Sequence, residues 1–285
     1  MLRKLRSFFN FSLTKLILCV VMALAFVSAG LANPMPGLQA GYQVALPIVA
    51  RNVVGEAIGA LDPSFGSGGL VMTDIAGDDE NGQGVAIQPD GKIVVAGYTY
   101  SGGYRDFALV RYNPDGSLDP SFGSNGLVVN SFHYKSDYGN AVVIQPDGKI
   151  IVVGTITDGS LYDFAVARFN SDGSLDTSFD GDGFVQTDFG VGGYFYEDHA
   201  YGVALQPDGK IVVVGSTFVY YDFSIARYNP DGSLDSSFGD GGKVRTAFGS
   251  YGFGPCKGVI IQDDGKIVAA GVASNGTDND FALVR

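Results

Sequence analysis

QPDGKIVVAG, residues 88–97, has the sequence of a β-hairpin, and the chain contains this pattern four times. Pro89 fixes φ for the first corner of a type I turn, Asp90 can cap that turn, and Gly91 supplies the left-handed residue that closes it. The run that follows is rich in β-branched residues, which favour strands. The other copies begin at Gln145, Gln206 and Gln262.

Two further motifs have the same period. LDPSFGSGGLV begins at Leu61 and returns at Leu118, Leu175 and Leu234, with spacings of 57, 57 and 59 residues. DFALVRYN begins at Asp106 and returns at Asp163, Asp222 and Asp280. A fixed period of this size is typical of solenoids, propellers and strung arrays. The chain therefore contains four tandem repeats: 61–117, 118–174, 175–233 and 234–285.

Each repeat contains four strand-like runs, and no window has a sustained helical period. In the first repeat these runs lie near Gly69–Ile75, Gly84–Gln88, Lys92–Tyr98 and Asp106–Tyr112. Four antiparallel strands in each repeat are typical of a propeller blade, whereas the coils of a stacked β-solenoid need only about 20–30 residues. The predicted fold is all-β: a β-propeller, or an open propeller-like array, of four four-stranded blades.

The residues before the repeats predict export. Residues 1–32 have a basic head, an uncharged apolar run and small residues at its end, as a secretory signal peptide does. A retained membrane anchor is the alternative, since 17 uncharged residues are near the lower limit for spanning a bilayer. Residues 33–60 are a predicted linker, in which the run from Tyr42 could be a strand that closes a ring or a plain spacer. The expected location is outside the cell or on its surface, with no membrane insertion after cleavage.

The net charge limits the classes of binding partner, and the cysteine content limits the disulfides that the chain can form. After signal removal the chain keeps 14 of its 18 basic residues and all 30 acidic ones, a net charge of −16. Such a charge repels phosphate backbones and anionic membrane surfaces, so nucleic acid is excluded as a partner. Only Cys256 remains after cleavage, so an intramolecular disulfide is excluded and stability must come from the packed core.

LDPSFG, QPDGKIVVAG and DFALVRYNPDGSLD, in this order and spacing, resemble the delta-60 repeat of large secreted or surface bacterial proteins. The resemblance covers Leu61 to Arg285. It implies a propeller-like β repeat in exported proteins and implies no catalytic residues. The fourth repeat departs from the pattern, because DFALVR ends at Arg285 without the NPDGSLD turn that follows the earlier copies.

Catalytic and metal-binding candidates are few. After cleavage the chain contains two histidines, in different repeats, and three glutamates, so no cofactor and no enzymatic activity are expected. Most of the aspartates lie at positions that recur once in each repeat, which fits structural turns. Calcium binding is suggested by FDGDG at 179–183, but the spacing of its aspartates does not match a known calcium loop. The recurring arginines, each five residues after an Asp of the same strand, are predicted to bond within a blade: Arg111, Arg168, Arg227 and Arg285.

The variable loops carry the candidate ligand face. In an up-and-down blade the connections alternate between two sides. The uniform PDG turns, between strands two and three, and the uniform NPDGSLDPSFG turns, from one blade to the next, are therefore predicted on one side, and the variable 1–2 and 3–4 loops on the other. Variable loops on a rigid scaffold usually carry binding, and Tyr is a favoured contact residue. The alternative is that these rings only cover blade edges. The predicted ligand-face residues are Tyr98, Tyr100, Tyr104, His133, Tyr134, Tyr138, Tyr194, Tyr196, Glu197, His199, Tyr220, Tyr221, Tyr251 and Phe253.

The sequence therefore predicts a secreted, non-enzymatic module that binds a protein or a glycan at the cell surface, or serves as a scaffold there. A propeller hydrolase or lyase, similar to calcium-dependent lactonases, and a purely architectural spacer are the alternatives. Four repeats also predict an open or weakly closed array that belongs to a longer parent protein, or that pairs with another copy through its exposed edge strands. Recurring residues are predicted to pack between sheets: Phe65, Phe122, Phe179, Phe238, Ile93, Ile150, Ile211 and Ile267.

Overall fold

The structure is a computed structural model, and it describes residues 59–75, 77, 79–132, 135–159, 161–190, 197–217, 222–248 and 254–285. The predicted signal peptide, and nearly all of the predicted linker, lie outside these residues. Every element in the described part is a strand, so the chain is all-β. Within the same residues, no helix is both long and apolar enough to cross a membrane.

The strands form four antiparallel sheets, each an up-and-down meander. The first sheet contains β1 (Glu80–Ile87), β2 (Ile93–Ser101), β3 (Tyr104–Tyr112) and β4 (Leu127–Asn130). The second contains β5 (Asp137–Ile144), β6 (Ile150–Thr157), β7 (Tyr162–Phe169) and β8 (Phe184–Thr187). The third contains β9 (Asp198–Leu205), β10 (Ile211–Thr217), β11 (Asp222–Tyr228) and β12 (Lys243–Thr246). The fourth has three strands in the described residues: β13 (Cys256–Ile261), β14 (Ile267–Ser274) and β15 (Asn279–Val284).

The predicted hairpin turn is confirmed. Gln88 and Lys92 are joined by a 2.8 Å backbone hydrogen bond, and the Gly91 amide donates to the Gln88 carbonyl at 2.9 Å. Gly91 has φ of +85°, a left-handed conformation that glycine adopts without steric cost. The turn connects β1 to β2, and the three other copies make the same pair of hydrogen bonds.

Sheets and sequence repeats are out of phase by one strand. Gly69–Ile75 was expected to open the first blade, but it is not a strand of that sheet. The fourth strand of the first sheet is instead β4, which belongs to the second repeat and pairs with β3. The NPDGSLDPSFG segment was expected to join one blade to the next; it joins β3 to β4 within one sheet. The pairing forms because the outer edge of β3 is free to accept β4 as the next strand.

The core lies between neighbouring sheets. β1 contacts β5, β5 contacts β9, and β9 contacts β13, so the first strands of consecutive sheets lie side by side. Three clusters of buried residues fill the three gaps. As predicted, Phe122, Phe179, Ile150 and Ile211 are fully buried there. The equivalent residues near the two ends of the array, Phe65, Phe238, Ile93 and Ile267, are half-buried.

The array is open. Phe281 of β15 is fully exposed, although Phe107, Phe164 and Phe223 at the same position of the other sheets are fully buried. Among the described residues, no strand pairs with the outer edge of β15. The first and last sheets therefore do not meet in this structure.

Candidate functional site

The strand order gives the array two sides. The β1–β2 turn and the β3–β4 link of each sheet lie on one side, here called the turn side. The β2–β3 loop and the connection from one sheet to the next lie on the other, the loop side. These are the sides on which the sequence analysis places the uniform turns and the variable loops.

The turn side is held by a repeated ion cluster. Asp119 accepts from Nε of Arg111 at 2.7 Å and lies 3.1 Å from Nζ of Lys92. Arg111 also stacks on Phe122, 4.3 Å from its centroid, and donates to the Ser171 carbonyl of the following repeat. The partner of the arginine is thus the Asp eight residues later, and not the Asp five residues earlier. Asp176 with Arg168 and Lys149, and Asp235 with Arg227 and Lys210, repeat the pattern.

These ion clusters are structural. Burial alone would raise the pKa of Asp119, but hydrogen bonds from Ser121 and Lys92 and the charge of Arg111 outweigh it and hold the pKa well below its usual range. The pKa of Asp176 is lowered by the equivalent partners, again against burial. Carboxylates that are fully paired and recur in successive sheets fit a role in folding better than a role in catalysis.

On the loop side, part of the predicted ligand face is assembled. Tyr98 of the first sheet and Tyr138 of the second pack edge to face, with ring centroids 5.3 Å apart. The Arg105 guanidinium lies 5.5 Å from the Tyr98 ring, 5.8 Å from Tyr100 and 5.4 Å from Tyr138. It also donates a 3.2 Å hydrogen bond to the Tyr138 hydroxyl. Cation–π contacts of this kind fix the rings around the guanidinium.

Tyr100 and Tyr104 carry this cluster to the surface. Tyr100 is 38% exposed and Tyr104 is 40% exposed. Lys135 lies 5.0 Å from the Tyr104 ring and donates to its hydroxyl at 3.2 Å. The aromatic cluster therefore presents two accessible rings next to two fixed cations.

A second group lies where the second and third sheets meet. The His199 ring lies 5.2 Å from Tyr162 and 6.1 Å from Tyr201, and His199 contacts Glu197 at 3.2 Å. Burial, together with the neighbouring Tyr138 and Glu197, raises the pKa of Tyr162. Tyr138 also belongs to the aromatic cluster of the first two sheets, so Tyr162 links the two groups.

Six of the predicted ligand-face residues thus fall in the described part of the chain: Tyr98, Tyr100, Tyr104, Tyr138, Glu197 and His199. The others lie outside the described residues: His133, Tyr134, Tyr194, Tyr196, Tyr220, Tyr221, Tyr251 and Phe253. Sequence reasoning missed Arg105, Lys135, Tyr162 and Tyr201. The sequence could have indicated Arg105, because it lies directly before an Asp-Phe pair that is the same in all four repeats, at a position that varies. The equivalent residues are Tyr162, Tyr221 and Asn279.

The loop side also contains a carboxylate group. Oxygen atoms of Asp163, Asp188 and Asp198 lie within 4.8 Å of one another. Burial, together with the charges of Asp163 and Asp188, raises the pKa of Asp198 to about 6, although the Phe189 amide and Thr217 stabilise its charged form. Asp198 is only 2% exposed, so this acid does not face solvent. Among the described residues, the second oxygen of Asp198 has no hydrogen-bond partner.

The family comparison supports the fold. The family model described as "Domain of unknown function (DUF5122) beta-propeller" matches residues 88–122, 145–179, 206–238 and 262–285. No curated protein matches the chain.

Two solved structures illustrate the similarity. A catalytically inactive variant of virginiamycin B lyase from Staphylococcus aureus has 11% identity and a TM-score of 0.40, over 73% of this chain and 57% of the lyase. An endo-arabinase from Bacteroides thetaiotaomicron has 14% identity and a TM-score of 0.37, over 70% of this chain and 72% of that one. The chain thus spans less than two thirds of the lyase. The four segments that match the family model each cover a PDG or DDG turn and the strands after it, and together they make up less than half of the chain. The match therefore indicates a β-propeller repeat in these segments.

Proposed function

We propose that this protein is a secreted, non-enzymatic binding module whose loop side takes an uncharged glycan at the bacterial cell surface. The aromatic cluster of Tyr98, Tyr100, Tyr104, Tyr138 and Arg105 is the observation that carries the proposal. Two of these rings are exposed and are held in place by cation–π contacts, so little rotamer entropy is lost when a ligand binds.

The chemistry of the cluster fits a sugar. A tyrosine ring offers an apolar face to the C–H groups of a pyranose and a hydroxyl to its oxygen atoms. Arg105 and Lys135 add fixed N–H donors beside the rings. The net charge of −12 for the whole chain disfavours polyanionic ligands, so a neutral sugar suits this surface better than a nucleic acid or an acidic polysaccharide.

The test is a double substitution on the loop side. The purified chain is screened against a panel of neutral cell-wall and capsular glycans, and each binder is measured by calorimetry with Y100A/Y104A. Loss of two exposed rings should weaken binding by at least about tenfold, or about 1.4 kcal/mol.

The matched control is D90A/D147A, which removes two exposed side chains from the PDG turns of the turn side and should leave affinity unchanged. Loss of binding only in this control would place the functional surface on the opposite side. No binding to any glycan or protein partner would favour the architectural spacer instead.

A further inference from the structure

Each of the first three sheets is completed by one repeated set of contacts, here called the junction. In each junction the last strand of a sheet pairs with the third: Phe107 lies opposite Asn130, and Leu109 opposite Val128. The same register joins Phe164 to Thr187 and Phe223 to Thr246. Two residues beyond the last strand an aromatic ring packs on that phenylalanine: Phe132 on Phe107, Phe189 on Phe164 and Phe248 on Phe223, with centroids 4.9–5.3 Å apart.

One half of a fourth junction is exposed on the last sheet. Phe281 is fully exposed and Leu283 is 65% exposed, whereas their equivalents in the other three sheets are all buried. Ile260, on β13, is exposed as well. Phe281 and Leu283 lie on the same face of an edge strand, and exposed apolar residues in such a place form a surface that is usually covered in a soluble protein.

The other half is already assembled on the first sheet. Gly66 donates to the Asp115 carbonyl at 2.7 Å, as Gly123 does to Asp172 in the next repeat. The Thr73 hydroxyl contacts the Tyr112 hydroxyl at 2.8 Å, as Thr187 contacts Tyr228 at the third sheet. The Ile75 amide donates to Glu80 just as the Phe132 and Phe189 amides donate to Asp137 and Asp198. Residues 66–75 are therefore docked like every other outer segment, but they have no sheet of the described residues to extend.

We propose that two copies of this chain join head to tail, with residues 70–73 of one copy adding the fourth strand to the last sheet of the other. The internal junctions fix the register: Phe281 opposite Thr73, Ala282 opposite Met72, Leu283 opposite Val71 and Val284 opposite Leu70. Ile75 then takes the position over Phe281 that Phe132 occupies over Phe107.

The polar groups of the two halves are complementary as well. Arg285 and Lys266 occupy the positions of Arg111 and Lys92, and Asp62 occupies that of Asp119. In the free halves the Lys266 ammonium contacts the exposed Asp264 of its own turn, and the Asp62 carboxylate accepts from the amide and hydroxyl of Ser64. Joining the halves would recreate the ion cluster of the internal junctions, with Phe65 beneath the Arg285 guanidinium.

In this structure residues 70–73 and β15 of one chain do not pair, so we assign each exposed half to a second copy. Three junctions of equal construction arrange four sheets, and both ends stay exposed. A contact between two different surfaces closes into a ring when the accumulated rotation allows it. Two copies joined at both ends supply eight blades, which lies within the ~4–8 found in propellers.

The register can be tested by cross-linking. One copy carries M72C, a second copy with a different tag carries A282C, and the mixed full-length chains are oxidised mildly. Directly opposite residues have Cβ atoms about 4.5–5.5 Å apart, so a disulfide between the two tags is expected. L70C in place of M72C is the matched control, because it would be a diagonal neighbour at about 7–8 Å and should give much less product.

Both copies also carry C19A, so that Cys256 is the native thiol that remains. Burial raises the pKa of Cys256 to about 12 and keeps it unreactive at neutral pH. No disulfide between M72C and A282C, or equal yields from M72C and L70C, would overturn the register. If a single chain carrying both cysteines closes only on itself at every concentration, the partner is not a second copy and the proposal is wrong.

Light scattering tests the association itself. We expect a species of twice the single-chain mass, and F281D should convert it to monomer. V129D is the control, because Val129 is an exposed residue of β4, in a junction that is already complete. The residues equivalent to Val129 in the next two sheets are Gln186 and Arg245, so a charge is tolerated at this position. A monomer in the unmodified chain, or dissociation by V129D as readily as by F281D, would contradict the proposal. A ladder of higher multiples would overturn the closed ring of eight blades.

Discussion

The turn side and the loop side are built from the same four repeats, yet the pKa values of their buried aspartates are shifted in opposite directions. On the turn side Asp119, Asp176 and Asp235 each meet an arginine and a lysine, and their pKa values are lowered. On the loop side Asp198 lies beside two further carboxylates, and its pKa is raised. The turn side repeats its residues, whereas the loop side varies them. This difference assigns the first to folding and leaves the second free for recognition.

The largest expected effect concerns the ring under the turn-side arginine. Phe122 is fully buried beneath Arg111. F122A should lower the free energy of unfolding by about 3–5 kcal/mol, because it leaves a cavity and removes the stacking surface. Chemical denaturation followed by circular dichroism, which should show a β spectrum without helix, measures this change.

F65A provides the comparison, since Phe65 has the same role in the first repeat but is half-buried on the open end. It should cost clearly less than F122A in the monomer. Equal losses would mean that the open end is as tightly packed as the internal junctions.

The next effect is electrostatic. D176A leaves Arg168 buried without its carboxylate, which should cost about 3 kcal/mol. The exposed carboxylate of Asp172, in the same link, accepts from the amide and hydroxyl of Ser174 and forms no ion pair with a buried arginine of the described chain, so D172A should change stability much less. If both variants melt alike, the ion cluster does not stabilise the turn side.

Much of the fold could be predicted from the sequence, because the PDG turn and the β-branched run that follows it specify a hairpin locally. The phase of the sheets could not. A tandem repeat has no natural starting point, and Gly69–Ile75 is as strand-like as Gly126–Phe132. What decides is a distant edge: residues 127–130 pair with β3, across a link of fourteen residues, whereas residues 70–73 have no such edge before them in the described chain.

The candidate site was predictable only in part for a related reason. The variable loops and their tyrosines indicated the loop side. Arg105, which holds these rings together, lies instead on a strand, directly before an Asp that recurs in all four repeats. Its role depends on Tyr138 of the next sheet, 33 residues away. Contacts between sheets of this kind follow from the packing of the blades and are not visible in any local pattern.

The smallest of these effects, and the one of opposite sign, is the response of Asp198 to pH. The pKa of Asp198 is about 6 in the folded protein, above the ordinary value of an aspartic acid, so the folded state favours the protonated acid. The stability from this group is therefore fully present below pH 4 and is lost as pH rises to 6, with a cost of about 2–3 kcal/mol above that. D198N keeps an acceptor for the Phe189 amide and removes the charge, so it should be more stable than the unmodified chain at pH 7 and should lose the slope between pH 4 and 6. E80Q, at the equivalent position of the open first sheet, is the control and should leave that slope in place. A D198N variant that is less stable at pH 7, measured by denaturation across the pH range, would show that the buried carboxylate is stabilised in its charged form.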